Sequence, residues 1–235
     1  MNNQAFLNTL KRSFLIYLST TARSNQKLKV LHGAIARDLA ERLGDGRYSV
    51  ASLGYEAGKE EIIPGRYYKK AVDIAVKERQ TAVATVGVKY VMSNYMQNSN
   101  NYFENMLGET ANIRCNGIPY FQIFVIPDRI PYFEKDGTIS KWESLNAHHL
   151  NKYIILSDDN PDVCMHTPNR TLVFIINISS EAGPQPQTAR DYKAFYLNHP
   201  FSLTASKAQF AFGKTIVYNN YELYANEVVR AIRSL

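Results

Sequence analysis

Apolar residues recur at helical spacing over the first 43 positions. Phe6, Leu7, Leu10, Phe14, Leu15 and Leu18 fall on one stripe, which predicts a helix over residues 3–20. Leu28, Leu31, Ile35, Leu39 and Leu43 form a second stripe, and Gly44-Asp45-Gly46 supplies a stop. The pattern then changes. AVDIAVKE (71–78) and TAVATVGVKYVM (81–92) are rich in valine and alanine and are separated by the charged turn Glu78-Arg79-Gln80. This predicts a β-hairpin, or two adjacent strands, largely buried. Residues 100–112 return to helical spacing through Phe103, Met106, Leu107 and Ala111. PYFQIFVIP (119–127), bounded by prolines, predicts a third strand, KYIILS (152–157) a short fourth, and TLVFIINIS (171–179) the most apolar strand of all. EAGPQPQTA (181–189) reads as a loop. YELYANEVVRAIRSL closes the chain as an amphipathic helix with Leu223, Val228, Val229 and Ile232 inward.

This order predicts an α/β chain whose mixed central sheet is flanked by helices on its faces. No linker composition interrupts it, so residues 1–235 read as one domain with an N-terminal helical part over 1–50. A length of 235 residues with 45% hydrophobic content suffices for a sizeable core. The net charge of +6 favours an anionic partner, nucleic acid first. Lys11, Arg12, Arg23, Lys27, Lys29 and Arg37 either face DNA or, as the commoner arrangement, line a solvated helix face. Two cysteines, Cys115 and Cys164, are too few for a disulfide framework or a thiolate zinc site. No apolar run reaches the ~18–20 residues that span a bilayer. The N-terminal stretch carries Lys11-Arg12 inside its apolar pattern, unlike a secretion signal. A cytoplasmic protein with no membrane partner is the expectation.

Chemistry is expected where charge interrupts apolar strands. Asp73 sits between Val72 and Ile74, and Lys89 between Val88 and Tyr90. A carboxylate in a buried strand must be paired, hydrogen-bonded or metal-bound. One reading is a buried Asp–Lys ion pair. The other is a hydrolytic site, in which Asp73 holds a divalent cation and Lys89 stands near the attacking water. His148, His149 and His166 are too scattered for a metal triad, and His148 and His149 read as surface or cap residues. No serine-hydrolase or phosphate-cradling glycine motif is present.

Asp73 followed by a turn and Val86-Gly87-Val88-Lys89, with IIPGRYYKKAVDIAV upstream, resembles the signature of the PD-(D/E)xK nuclease superfamily. Most type II restriction endonucleases belong to that superfamily. The resemblance covers roughly residues 56–126 and implies a restriction-endonuclease-like α/β/α fold with its catalytic core over 51–130. It also implies Mg²⁺ as cofactor and Asp73 at the first metal-binding position. The backbone of Val88 is implied as a further metal ligand, and Lys89 as the catalytic lysine. The pattern is broken at Gly87, where the family carries Asp or Glu. Some restriction enzymes supply the missing carboxylate from the following helix, here NNYFENMLGETA. Glu104 is the expected replacement, and Glu109 the reserve. Glu104 and Glu109 differ by about 140° around a helix and should not share the cleft equally. A further acid is expected from Glu56, Glu60 or Glu61, with Glu61 preferred.

The asparagine-rich segment SNYMQNSNNYFEN resembles segments that follow the catalytic lysine in certain restriction enzymes. Asn94, Asn98, Asn100 and Asn101 are therefore candidate DNA-binding residues, since amides pair in a bidentate way with adenine. Tyr95 and Tyr102 are candidates for phosphate contacts or stacking. The structural alternative is that the asparagines shape a loop and cap a helix. The expectation from the sequence is a Mg²⁺-dependent type II restriction endonuclease acting on double-stranded DNA. It would work as a homodimer, beside a cognate DNA methyltransferase. The alternative is a DNA-binding protein that keeps the fold but has lost cleavage.

Overall fold

The computed structural model describes residues 1–21, 24–44, 46–56 and 58–235; Arg23 and Asp45, used in the sequence reading, lie outside them. The chain opens with α1 (Asn3–Ser19) and α2 (Gln26–Leu43). The side chain of Asn2 caps α1 by accepting from the Ala5 N–H at 2.9 Å. Gly44, at φ +67°, ends α2 in a left-handed turn that few other residues adopt freely, its N–H bonding the Ala40 carbonyl.

Five short strands follow: β1 (Tyr48–Ser52), β2 (Glu61–Pro64), β3 (Lys69–Val72), β4 (Ile74–Glu78) and β5 (Thr81–Tyr90). After them come α3 (Tyr95–Arg114), β6 (Tyr120–Pro127), β7 (Arg129–Phe133), β8 (Ile139–Ser144) and α4 (Ala147–Asp158). The chain closes with β9 (Arg170–Ser179), α5 (Ala189–Asn198), β10 (Ser202–Ala205), β11 (Ile216–Tyr218) and α6 (Tyr221–Arg233).

The main sheet runs β1-β4-β5-β6-β9-β10, with β11 also on β9. β1, β4 and β5 are antiparallel, and β5, β6 and β9 are parallel, so the sheet is mixed. The expected hairpin is β4–β5. The crossover from β5 to its parallel neighbour β6 is α3, as a parallel connection requires. Helices cover both faces. Phe6, Leu10, Leu31, Leu39 and Val228 from α1, α2 and α6 pack on one side with Ile74, Val86 and Ile123. Met106, Leu150, Tyr153 and Leu156 from α3 and α4 pack on the other with Phe124, Val173 and Ile175. The first face is anchored by Phe6, stacked on Tyr221 at 4.3 Å and edge-on to Phe174 at 5.1 Å. Burying such a ring contributes about 1.5–3 kcal/mol.

Three expectations are corrected. KYIILS is not a strand but the body of α4, which buries Leu150, Tyr153, Leu156 and Ser157 at helical intervals. A short apolar run does not separate helix from strand by itself. The deciding signal is upstream, in a capping box between Asn146 and His149. Leu223 on α6 is exposed, whereas Val228, Val229 and Ile232 are buried as expected. Lys11 does not face a free surface. Its ammonium donates to the Phe201 carbonyl at 2.6 Å and lies over the Phe201 ring.

One close approach fixes where α2 lies. A Cβ at Gly33 would fall 2.3 Å from the Gly54 carbonyl oxygen, and one at Gly54 2.1 Å from the Lys29 carbonyl oxygen. Helix propensity alone would favour Gly33→Ala by about 0.8–1 kcal/mol. Backbone faces backbone here, so neither side yields, and overpacking costs typically about 1–3 kcal/mol. Gly33→Ala is therefore expected to lower the urea midpoint; an unchanged or raised midpoint would show that α2 does not sit against this turn. Among the described residues, no helix is long and apolar enough to cross a membrane.

Candidate active site

Asp73 lies in the break between β3 and β4. Pairing of β4 with β5 ends at Ile74↔Val86, so β5 continues past the end of its neighbour. The N–H groups of Thr85 and Val91 point to β6. By the alternation of a strand, both backbone groups of Val88 point the other way, to the side that β4 has left open. Asp73 fills that opening. Its Oδ2 accepts from the Val88 N–H at 2.7 Å, and its backbone carbonyl accepts from Ser52 Oγ at 2.7 Å. The Val88 carbonyl faces the same side.

Lys89 projects toward α3, and its Nζ lies 4.0 Å from the centre of the Tyr102 ring. Asp73 and Lys89 feel each other's charge, but no salt bridge links them among the described residues. The simple buried ion pair is thus not what the chain builds. Burial pushes the Asp73 carboxyl above the usual carboxylate range, opposed by the Val88 N–H, Lys70 and Lys89. Burial also lowers the Lys89 ammonium below its usual value, opposed by Asp73.

A cleft of about 170 Å³ brings Asp73, Val88 and Lys89 together with Tyr102, Asn105, Met106, Glu109, Tyr120 and Gln122. Of the two α3 glutamates, the structure places Glu109 and not Glu104 in this cleft. The helix geometry explains the correction. Met106, Thr110 and Ile113 are the buried stripe of α3. Tyr102, Asn105 and Glu109 lie within about 100° of Met106, whereas Glu104 is about 160° away. Glu104 is exposed and acts on Lys152 of α4. Glu109 is held by two partners: Tyr120 Oη donates to Oε1 at 3.1 Å, and Lys70 Nζ pairs with Oε2 at 2.8 Å.

Gly87 has a steric reason. A Cβ there would lie 2.0 Å from Tyr120 Oη and 2.8 Å from Gln122 Oε1. Tyr120 thus occupies the space that an acidic side chain at this strand position would need, and its hydroxyl tethers the acid that comes from the helix instead.

The upstream acid is also corrected. Glu61 pairs with Lys77 at 3.0 Å, and Glu56 is exposed at φ +45°. Glu60 is the one that approaches Asp73, together with His32 of α2. His32 Nδ1 stands 3.8 Å from Asp73 Oδ1, with only 1% of the side chain exposed. Burial lowers its imidazolium pKa to about 4, opposed by Glu60.

The asparagines divide. Asn94 precedes α3 at φ +49°, and its amide exchanges hydrogen bonds with the backbone of Phe133 on β7. Asn98 donates to the Asn94 carbonyl. These two hold the loop before α3; Asn94 stands at the N-cap position, but its side chain makes no cap hydrogen bond. Asn100 accepts from Lys152 Nζ at 2.9 Å, and Asn101 is exposed. Tyr95 is buried and donates to the His149 carbonyl, which removes it from any ligand surface.

Sequence reasoning missed His32, Lys70, Tyr120, Gln122 and Asn105. His32 had a signal, because it falls on the apolar stripe of α2 between Leu28 and Ile35. Tyr120 had none beyond its unexplained partner, Gly87.

Beside the cleft, the β2–β3 hairpin carries Arg66, Tyr67, Tyr68 and Lys69, all exposed. Buried Asn112 of α3 clamps its turn, accepting from the Tyr67 N–H at 2.9 Å and donating to the Tyr68 carbonyl at 3.0 Å. The Asn112 carbonyl accepts from the Arg66 N–H at 2.7 Å. Comparison with known proteins finds no family model, no curated protein and no solved structure that matches the chain.

Proposed function

We propose that this protein is a Mg²⁺-dependent endonuclease of the type II restriction kind. It would hydrolyse phosphodiester bonds of double-stranded DNA on a restriction-endonuclease-like domain. The observation that carries the reading is Glu109. The sequence lacks an acid at position 87, and a buried tyrosine both fills that space and hydrogen-bonds a carboxylate brought in from α3. Asp73, Glu109 and the Val88 carbonyl offer an all-oxygen donor set, which suits Mg²⁺. When bound, the ion would supply charge to the scissile phosphate and lower the pKa of water.

The chain's own groups have distinct tasks. Lys89, its ammonium lowered by burial, orients the attacking water and balances charge growing on the phosphate. The Tyr102 ring holds that ammonium in place. Lys70 neutralises Glu109 at rest, and would exchange the carboxylate for a DNA phosphate on binding. Arg66 and Lys69 take neighbouring phosphates, and Tyr67 and Tyr68 pack on the sugars. Asn100, Asn101 and Asn105 remain available to read base edges. A homodimer would cut both strands of a two-fold site, and a methyltransferase would protect the host's own copies.

The test is plasmid cleavage with Mg²⁺ or Mn²⁺ across several DNAs. Glu109→Gln and Lys89→Met are expected to lower the rate at least about 10²-fold while remaining folded. Glu104→Gln is expected to cut like the parent. Loss of activity in Glu104→Gln with Glu109→Gln unaffected would remove the proposed site. DNA binding without cutting by the parent would instead favour the non-cleaving alternative.

A further inference from the structure

We propose that His32, Glu60 and Asp73 form a second divalent-cation position of mixed nitrogen and oxygen donors, which prefers transition metals to Mg²⁺. It shares Asp73 with the nuclease site proposed above, and in that respect rests on the same reading of Asp73 as a cation ligand. His32 and Glu60 are not among the residues lining the Lys89 cleft.

Four observations support it. His32, Glu60 and Asp73 each offer one ligand atom, all within 4.8 Å of one another. Ligands at ~2.0–2.2 Å from one ion lie roughly 3–4 Å apart, and His32 Nδ1 and Asp73 Oδ1 already stand at 3.8 Å. Glu60 is exposed, so its side chain is free to change rotamer and close the remaining distance. Finally, neither nitrogen of the 1%-exposed His32 has a hydrogen-bond partner among the described residues. Buried polar atoms are almost always partnered, and an exception calls for an explanation, of which a bound ion is one.

The backbone is built to hold this arrangement. The contact of Gly33 with Gly54 presses α2 against the turn after β1, and Ser52 ties the same turn to the carbonyl of Asp73. His32 and Asp73 therefore converge on fixed elements, while Glu60 enters from the segment between β1 and β2. An imidazole in the set selects against Mg²⁺, which takes oxygen ligands, and in favour of later divalent metals in the Irving–Williams order.

The second mixed cluster, Asp159, Cys164 and His166, is different. His166 is half exposed, and Asp159 already accepts from Thr167 Oγ1 at 2.8 Å. It serves as a control, removed by His166→Ala.

The experiment uses the full chain carrying His166→Ala, stripped with chelator and titrated with Co²⁺ by calorimetry and visible absorption. His32→Gln is expected to weaken Co²⁺ binding at least about tenfold, whereas Glu104→Gln, exposed and outside both sites, leaves it within about twofold. Equal Co²⁺ affinity for His32→Gln and its parent overturns the proposal. Should His32→Gln fail to fold, pulsed electron paramagnetic resonance of Mn²⁺ bound to the parent decides. Imidazole nitrogen coupling supports the site, and its absence removes it. The two readings part cleanly. A protein that binds Co²⁺ through His32 yet cuts no DNA refutes the nuclease alone. One that cuts DNA with no His32-dependent binding refutes the second position alone.

Discussion

Asp73→Asn is expected to abolish cleavage, by at least about 10³-fold, and at the same time to make the metal-free protein more stable. The two effects share one cause. The Asp73 carboxyl is held above its usual pKa because burial disfavours its charged form more than the Val88 N–H, Lys70 and Lys89 favour it. With the folded pKa raised above the unfolded value, protonation favours the fold. The contribution is fully present below the unfolded carboxylate range, about pH 4, and is lost as pH rises through the raised value. At neutral pH the ionised group is a cost that a bound cation would offset. Asparagine keeps an oxygen for the Val88 N–H and carries no charge.

Urea denaturation in chelator should therefore find Asp73→Asn ahead of the parent at pH 8, with the gap narrowing toward pH 4. His32, whose pKa is depressed to about 4, works in the opposite direction: stability is lost as pH falls from about 6.5 through that value. His32 is present in both proteins, so its effect largely cancels in the difference. A variant less stable than the parent at pH 8 would mean that Asp73 is a structural ion-pair residue after all.

The same balance of local and distant causes decides how much of the molecule was legible beforehand. The helices α1, α2 and α6 and the strands β5, β6 and β9 follow periodicity that lies within each segment. Asp73 and Lys89 were legible because a charge inside an apolar strand is costly wherever it occurs. The exchange of Glu104 for Glu109 was not. It turns on where the buried stripe of α3 falls: Met106, Thr110 and Ile113 are buried, whereas Leu107 and Ala111 of the predicted stripe are only partly so. The buried face is thereby rotated toward Glu109 and away from Glu104. The roles of Asn94 and Asn98 were hidden in the same way. They depend on β7, in the stretch between the predicted strands 119–127 and 152–157 for which the sequence pattern predicts no element and which holds the β7–β8 hairpin. Glu60 displaced Glu61 because alternation along β2 sends Glu61 to Lys77.

Gly87→Asp, which would place an acid where the PD-(D/E)xK pattern carries one, is expected to damage the protein. The new Cβ would meet Tyr120 Oη at 2.0 Å, Gln122 Oε1 at 2.8 Å and Tyr120 Cζ at 2.9 Å. Tyr120 is only 2% exposed and is packed among Ile63, Val72, Ala75 and Ile113, so its ring has nowhere to retreat. Its hydroxyl is also bonded to Glu109. Gly87→Ala isolates the steric part. Reduced freedom of the unfolded chain would favour alanine by about 0.4–1 kcal/mol. Overpacking costs about 1–3 kcal/mol, and breaking the hydrogen bond to a charged carboxylate about 1.5–3 kcal/mol. The unfavourable contributions win, and the net expectation is a loss of about 1.5–5.5 kcal/mol. Aspartate adds repulsion against Glu109 in the same cleft.

Tyr120→Phe removes the atom at 2.0 Å. The double variant Gly87→Ala/Tyr120→Phe should therefore be less damaged than the sum of the single changes, with a coupling of about 1–2 kcal/mol by double-mutant cycle. Additive effects, or a Gly87→Asp protein that folds like the parent and cuts faster, would show that position 87 is open. An open position 87 would leave the route through Tyr120 to Glu109 without a purpose. If the coupling appears, the glycine, the tyrosine and the helix glutamate form one unit. An acid at position 87 and the tyrosine that fixes Glu109 then exclude each other, because both need the same space.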